Sequence, residues 1–151
     1  MVKNNGLLAF VRFKVAEMSG TDPDIDWEAR KTRWLNATGN LYRLIRRWLA
    51  PLEKDGILRF SRSSVTLTEE PIGSYEIGVL EFSIGKQRVR FCPVGTLIGG
   101  ATGRVDVRGQ HGTRSIILRG NQWFVVERVP ELKTVPFNKK TFKNVLQEIM
   151  V

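Results

Sequence analysis

One cysteine and one histidine among 151 residues leave this chain short of the side chains that most often do chemistry. Cys92 alone excludes an internal disulfide and points to a reducing compartment. It lies in the apolar run Phe91-Cys92-Pro93-Val94, where a buried inert thiol is a better reading than a nucleophile. His111 and Cys92 supply only two metal ligands, so a zinc site would need carboxylates to complete it. Long apolar runs are missing too. No stretch approaches the roughly 18 uncharged apolar residues that span a bilayer. The run Gly6-Leu7-Leu8-Ala9-Phe10-Val11 is too short for a secretory signal, and no small-residue cleavage pattern follows it. The chain is expected in the cytoplasm and off the membrane.

Acidic residues are the other scarcity: 15 Asp plus Glu face 24 Lys plus Arg, a net charge of +9. The surplus is uneven. Residues 1–70 carry 12 basic and 9 acidic side chains, and residues 71–151 carry 12 and 6. Over 82–126, Lys86, Arg88, Arg90, Arg104, Arg108, Arg114 and Arg119 face Asp106 alone. Arginine outnumbers lysine 15 to 9, which favours forked contacts to phosphate or carboxylate. A basic surplus draws nucleic acid or acidic proteins and says nothing of fold. An apolar content of 42% excludes wholesale disorder.

The apolar pattern starts helical and turns to period two. Leu7 to Met18 fits a helix better than a strand, although Val11, Phe13 and Val15 alternate. Asp22-Pro23 is a helix-start signal, and residues 24–35 read as a short amphipathic helix interrupted at Ala37-Thr38-Gly39-Asn40. Leu41, Leu44, Ile45, Trp48, Leu49 and Leu52 then mark the strongest helix, with Arg43, Arg46 and Arg47 on its other side. Pro51 is expected to kink or end it, and Asp55-Gly56 to cap it.

From Ile57 onward, Ile57–Phe60 and Val65–Thr68 read as a short hairpin around Ser61-Arg62-Ser63-Ser64. Tyr75–Ile84 and Gln87–Phe91 form a better one about Gly85-Lys86, putting Phe82 opposite Val89, Leu80 opposite Phe91, and Glu81 opposite Arg90 as an ion pair. Arg104–Arg108 and Ser115–Arg119 follow, and a turn at Gly120-Asn121 pairs Leu118 with Trp123 and Ile116 with Val125. Asn138 caps a last helix striped by Phe142, Val145, Leu146, Ile149 and Met150. The expected fold is a single α+β domain over 1–151. Helices fill residues 1–56, an antiparallel meander of five to seven strands fills 57–129, and a C-terminal helix at 138–150 packs on the sheet.

Three features bear on function. Leu41–Glu70 is similar in outline to the close of a winged-helix domain, which would bring Arg43, Arg46 and Arg47 near DNA and put Arg59 and Arg62 on the wing. Helix-then-hairpin is also common in α+β proteins at large. The loop Gly95–Arg104 is glycine-rich enough to cradle phosphate, but it lacks a P-loop's Gly-Lys-Ser/Thr ending and leads into a strand, so a plain connection is the better reading. Arg104, Asp106 and Arg108 share one face of a strand near His111, yet no nucleophile, base and orienting group assemble.

Three functions follow in order. The favoured one is a non-catalytic basic module that contacts the phosphate backbone of duplex nucleic acid through Arg88, Arg90, Arg104 and Arg108, together with Arg43, Arg46 and Arg47. The alternative is an interaction subunit that meets an acidic protein. A small enzyme using Asp106 and His111 comes last. No cofactor and no metal are expected.

Overall fold

The computed structural model describes residues 26–70, 72–96, 101–127 and 132–151. The helix expected over Leu7–Met18 and the start signal at Asp22-Pro23 lie outside these residues. Helix α1 (Trp27–Lys54) begins at Asp26, whose carboxylate accepts the Ala29 N–H at 3.0 Å. It runs unbroken for 28 residues, with Trp34, Thr38, Leu41, Tyr42, Ile45 and Leu49 as its buried stripe.

The two helices expected here are therefore one. Thr38 turns inward and its hydroxyl donates to the Trp34 carbonyl at 2.8 Å. Burial on both sides outweighs the roughly 1 kcal/mol that Gly39 costs in a helix. Pro51 does not end the helix either: the helix runs on to Lys54, although the proline removes one i→i−4 hydrogen bond. The chain leaves through a Schellman arrangement, with Gly56 N–H donating to Glu53 O at 3.1 Å and Ile57 N–H to Leu52 O at 3.0 Å.

Among the described residues, seven antiparallel strands follow in sequence order, each paired with the next. They are β1 (Leu58–Glu69), β2 (Gly73–Ile84), β3 (Gln87–Gly95), β4 (Gly103–Gly109), β5 (Gly112–Arg119), β6 (Gln122–Glu127) and β7 (Lys133–Pro136). The expected registers of β2 with β3 and of β5 with β6 are present. Helix α2 (Lys139–Ile149) is capped by Asn138, whose side chain accepts from Thr141 N–H while the Thr141 hydroxyl accepts from Asn138 N–H.

The expected hairpin at Ser61–Ser64 does not exist. β1 passes straight through it and pairs with β2 on one unbroken register, from Leu58↔Ile84 to Glu69↔Gly73. At the base, Leu58, Leu80 and Phe82 are buried; towards the tip, Tyr75 and Ile77 are, with Val65 and Leu67 half-buried beside them. Those two sets have opposite parity, so the twisted ribbon changes which side it buries as it crosses Ser61–Ser64. Four small polar residues at a parity change resemble a turn in sequence. The likeness of Leu41–Glu70 to a winged-helix domain is thereby overturned, since the turn expected at Ala37–Asn40 is part of the helix and the two expected wing strands are one strand, β1.

The ribbon tip is fastened back onto the body. Glu69 accepts Thr96 N–H at 2.6 Å and the Thr96 hydroxyl at 3.2 Å, and also the Tyr75 hydroxyl. Arg30 of α1 donates to the Thr96 carbonyl, and Tyr42 donates to the Gly78 carbonyl at 2.7 Å.

Both helices cover the same face of the sheet. The Phe91 ring on β3 lies 6.3 Å from that of Tyr42 on α1 and 6.2 Å from that of Phe142 on α2. Trp48 of α1 closes the group, 5.6 Å from Phe142. This inner face carries Leu80, Phe82, Val89, Phe91, Val105, Val107, Ile116, Leu118 and Val125, all in one core.

Trp34 packs against Gly103, where an added Cβ would stand 2.4 Å from the indole. Gly103→Ala is therefore expected to lose about 1–3 kcal/mol through overpacking. Gly39→Ala, whose Cβ would meet nothing nearer than 3.8 Å, is expected to gain about 0.5–1 kcal/mol from helix propensity. Chemical denaturation of the two variants checks both signs.

Candidate nucleic-acid interface

Period-two alternation and the registers define what the other face of the sheet carries. Arg59 pairs with Ser83, and Ser83 with Arg88; Ser61 pairs with Glu81, Glu81 with Arg90, and Arg90 with Arg108. Cys92 pairs with Asp106, and Asp106 with Ser115. These residues face away from both helices, and no described element covers them. Arg59, Arg88, Arg90 and Arg108 are exposed. No hydrogen bond or ion pair joins any of the four to another described residue.

Two arginines sit directly opposite each other at Arg90↔Arg108, an arrangement that repels. Relief from the far side is smaller than the sequence suggested. Glu81 stands opposite Arg90, but the expected ion pair is not formed; Glu81 accepts the Ser61 hydroxyl at 3.2 Å instead. Arg88 and Arg90 are two residues apart on one strand, so their Cα atoms are about 6.7 Å apart. Arg108, opposite Arg90 on the next strand, adds a further positive charge to the same face.

Arg104 lies on the same face and is already committed. Its guanidinium holds Asp106 in a fork, Nε at 2.9 Å and Nη2 at 3.1 Å, and Ser115 adds a hydrogen bond to the same carboxylate at 2.8 Å. That hydrogen bonding raises the Arg104 pKa above its ordinary value, against a smaller effect of burial. The Asp106 carboxylate is buried and its two oxygens take three donors. His111 lies in the β4–β5 turn, its side chain exposed and its backbone N–H donating to the Ile149 carbonyl at 2.8 Å. No hydrogen bond joins His111 to Asp106. Among the described residues no group of three or more His, Cys, Asp or Glu is placed to hold a metal ion.

The helix arginines stand elsewhere. Arg46 lies over the Phe60 ring at 4.9 Å, Arg43 donates to Asn40, and Arg47 is exposed on α1. Because α1 packs on the inner face, these three are across the sheet from Arg88, Arg90 and Arg108. The seven arginines singled out in the sequence thus fall into two groups on opposite sides. Arg59, which the sequence placed on a wing, joins the sheet group through its register with Ser83. In the glycine-rich connection, residues 97–100 lie outside the described set.

The chain matches no known family model, no curated protein and no solved structure. No helix among the described residues is long and apolar enough to cross a membrane.

Cys92 reports on this face, being half-buried beside Arg90 and Arg108. Burial pushes its thiol pKa up, and Asp106 and Glu81 add to the rise, while Arg108 and Arg90 oppose it. A raised pKa means less thiolate at any given pH. Alkylation of Cys92 is therefore expected to reach half its maximal rate at a higher pH than a free cysteine does. Arg90→Ala or Arg108→Ala should move that midpoint higher still. A profile at or below that of free cysteine would contradict this environment.

Proposed function

We propose that the protein is a non-catalytic module that binds the phosphate backbone of duplex nucleic acid with the uncovered face of its sheet. The observation that carries this reading is the group Arg59, Arg88, Arg90 and Arg108: exposed, without partners among the described residues, and including one directly opposed like-charge pair. An anion between Arg90 and Arg108 turns a repulsive pair into two charge-assisted contacts. The same rows carry Ser61, Ser83, Glu81, Cys92 and Thr113, and no aromatic ring. The absence of a stacking platform in these rows favours backbone contacts over single-strand recognition there, and the one ring farther along the face, Phe124, already lies under Arg119. Duplex also presents a denser line of phosphates than a single strand.

The test is duplex binding across a salt series. Log affinity is expected to fall linearly with log salt, by roughly 0.9 for each phosphate neutralised. Replacing Arg88, Arg90 and Arg108 by Ala should flatten the slope by about 2–3, whereas Arg43→Ala with Arg47→Ala should leave it nearly unchanged. Arg108→Ala should also raise stability at low salt by a few tenths, about 0.2–1 kcal/mol, by ending the repulsion with Arg90. No salt-dependent affinity for duplex, or an unchanged slope in the triple variant, overturns the reading and leaves an acidic protein as the partner to seek.

A further inference from the structure

A second feature lies on the inner side, away from the sheet arginines. Between the first half of α1 and the β5–β6 turn is an open cavity of about 570 Å³, within the range of roughly 300–1,000 Å³ common for small-molecule sites. Its walls are apolar and aromatic. Leu41 and Leu44 come from α1, and the rings of Trp34 and Trp123 meet at its floor, 6.2 Å apart and tilted by 45°. Trp123 is only half-buried, so part of its ring remains available on the cavity side.

The polar side chains around these walls are cationic, amide or, at Thr102, a hydroxyl already given to the Leu118 carbonyl, and no carboxylate is among the lining residues. Arg30 and Arg33, one turn apart on α1, both line the cavity, as do Asn40 and Asn121 on its rim. Arg30 donates to the Thr96 carbonyl through one terminal nitrogen, while its Nε is buried with no hydrogen-bond partner. The Trp34 Nε1, on a side chain 1% exposed, is turned to the Tyr75 hydroxyl, away from the residues that line the cavity. An unmet buried donor costs about 1–3 kcal/mol, so the Arg30 Nε, on a side chain lining the cavity, marks a place where an acceptor is missing. Burial lowers the Arg30 pKa, Glu69 opposes it, and Arg33 adds a smaller lowering.

We infer that this cavity is a binding site for a small planar aromatic anion of the nucleoside monophosphate class. The ring would lie against Trp123, the anionic group would meet Arg30 and Arg33, and the amides of Asn40 and Asn121 would reach the ring edge. The inference does not rest on the duplex-binding reading, because no cavity residue belongs to the outer face.

Intrinsic tryptophan fluorescence of the whole chain, titrated with AMP, tests it. Trp34 and Trp123 both line the cavity, so binding is expected to quench their emission saturably. Inorganic phosphate and adenosine, the two halves of the probe, should each bind at least tenfold more weakly than AMP. Arg33→Glu, a change at an exposed helix position, should weaken AMP at least tenfold. Trp123→Leu keeps Trp34 as reporter and should weaken AMP while sparing the fold, checked by circular dichroism. An Arg88→Ala, Arg90→Ala, Arg108→Ala variant should bind AMP as the unaltered chain does, even when its affinity for duplex is lost. The site is refuted by absence of saturable quenching at millimolar AMP, by undiminished binding in Arg33→Glu, or by phosphate alone binding as tightly as AMP.

Discussion

The contact on which the rest depends is the one that Phe91 makes with both helices at once. Its ring on the inner face of β3 meets Tyr42 of α1 and Phe142 of α2, and Trp48 joins the two helices over it. Each such ring contributes on the order of 1.5–3 kcal/mol by leaving water. More importantly, the shared contact commits both apolar stripes of the chain to one side of a single sheet. No other described element has an apolar face left to cover the second side. That side carries the sheet arginines together with a buried Ile117 and a half-buried Phe124 in register with Arg104, and its composition follows from the same strands by simple alternation.

Alternation then makes the outer face basic. Val89, Phe91, Val105 and Val107 point inward, so Arg88, Arg90, Arg104 and Arg108 point outward. Two of the consequences differ in kind. Arg104 is neutralised by Asp106 and Ser115, and works as part of a local network that fixes its own position. Arg90 and Arg108 face each other with Glu81 turned to Ser61, and this residual repulsion is a property of the folded sheet that composition alone does not reveal. Near its other end the sheet is spanned by the Glu69, Thr96 and Arg30 contacts, which bring the ribbon tip beside the start of α1 and so help define the cavity under Trp34.

Much of the fold was legible where a turn of two residues sets the register. Gly85-Lys86 and Gly120-Asn121 each dictate every facing pair along their strands, and those pairs are present as expected. The capped C-terminal helix was legible from Asn138 and its stripe. Local signals failed where tertiary burial overrode them. Gly39 and Pro51 read as helix breaks, but the stripe from Trp34 to Leu49 holds one helix through them. Ser61–Ser64 read as a turn because a twisting ribbon changes its buried parity there. β7 was not anticipated: four residues that include Pro136 carry too short a pattern, and only Val135 opposite Val125 gives it a place. Of the candidate interface, the sheet arginines were legible from period two. Their separation from Arg43, Arg46 and Arg47 was not, because periodicity does not say which side of a sheet a helix will choose. The cavity was less legible still, since Trp34 and Trp123 are brought together only by the whole meander.

Cys92 offers the most direct measurement, because it is the only cysteine in the chain and lies on the outer face beside Arg90 and Arg108. Its alkylation rate can be followed in the free protein and with saturating duplex DNA at low salt. The account predicts that duplex slows the reaction strongly, that raising the salt restores the free rate, and that a bulky adduct on Cys92 blocks binding. Duplex bound at low salt with the alkylation rate unchanged would place the contact elsewhere and contradict the account.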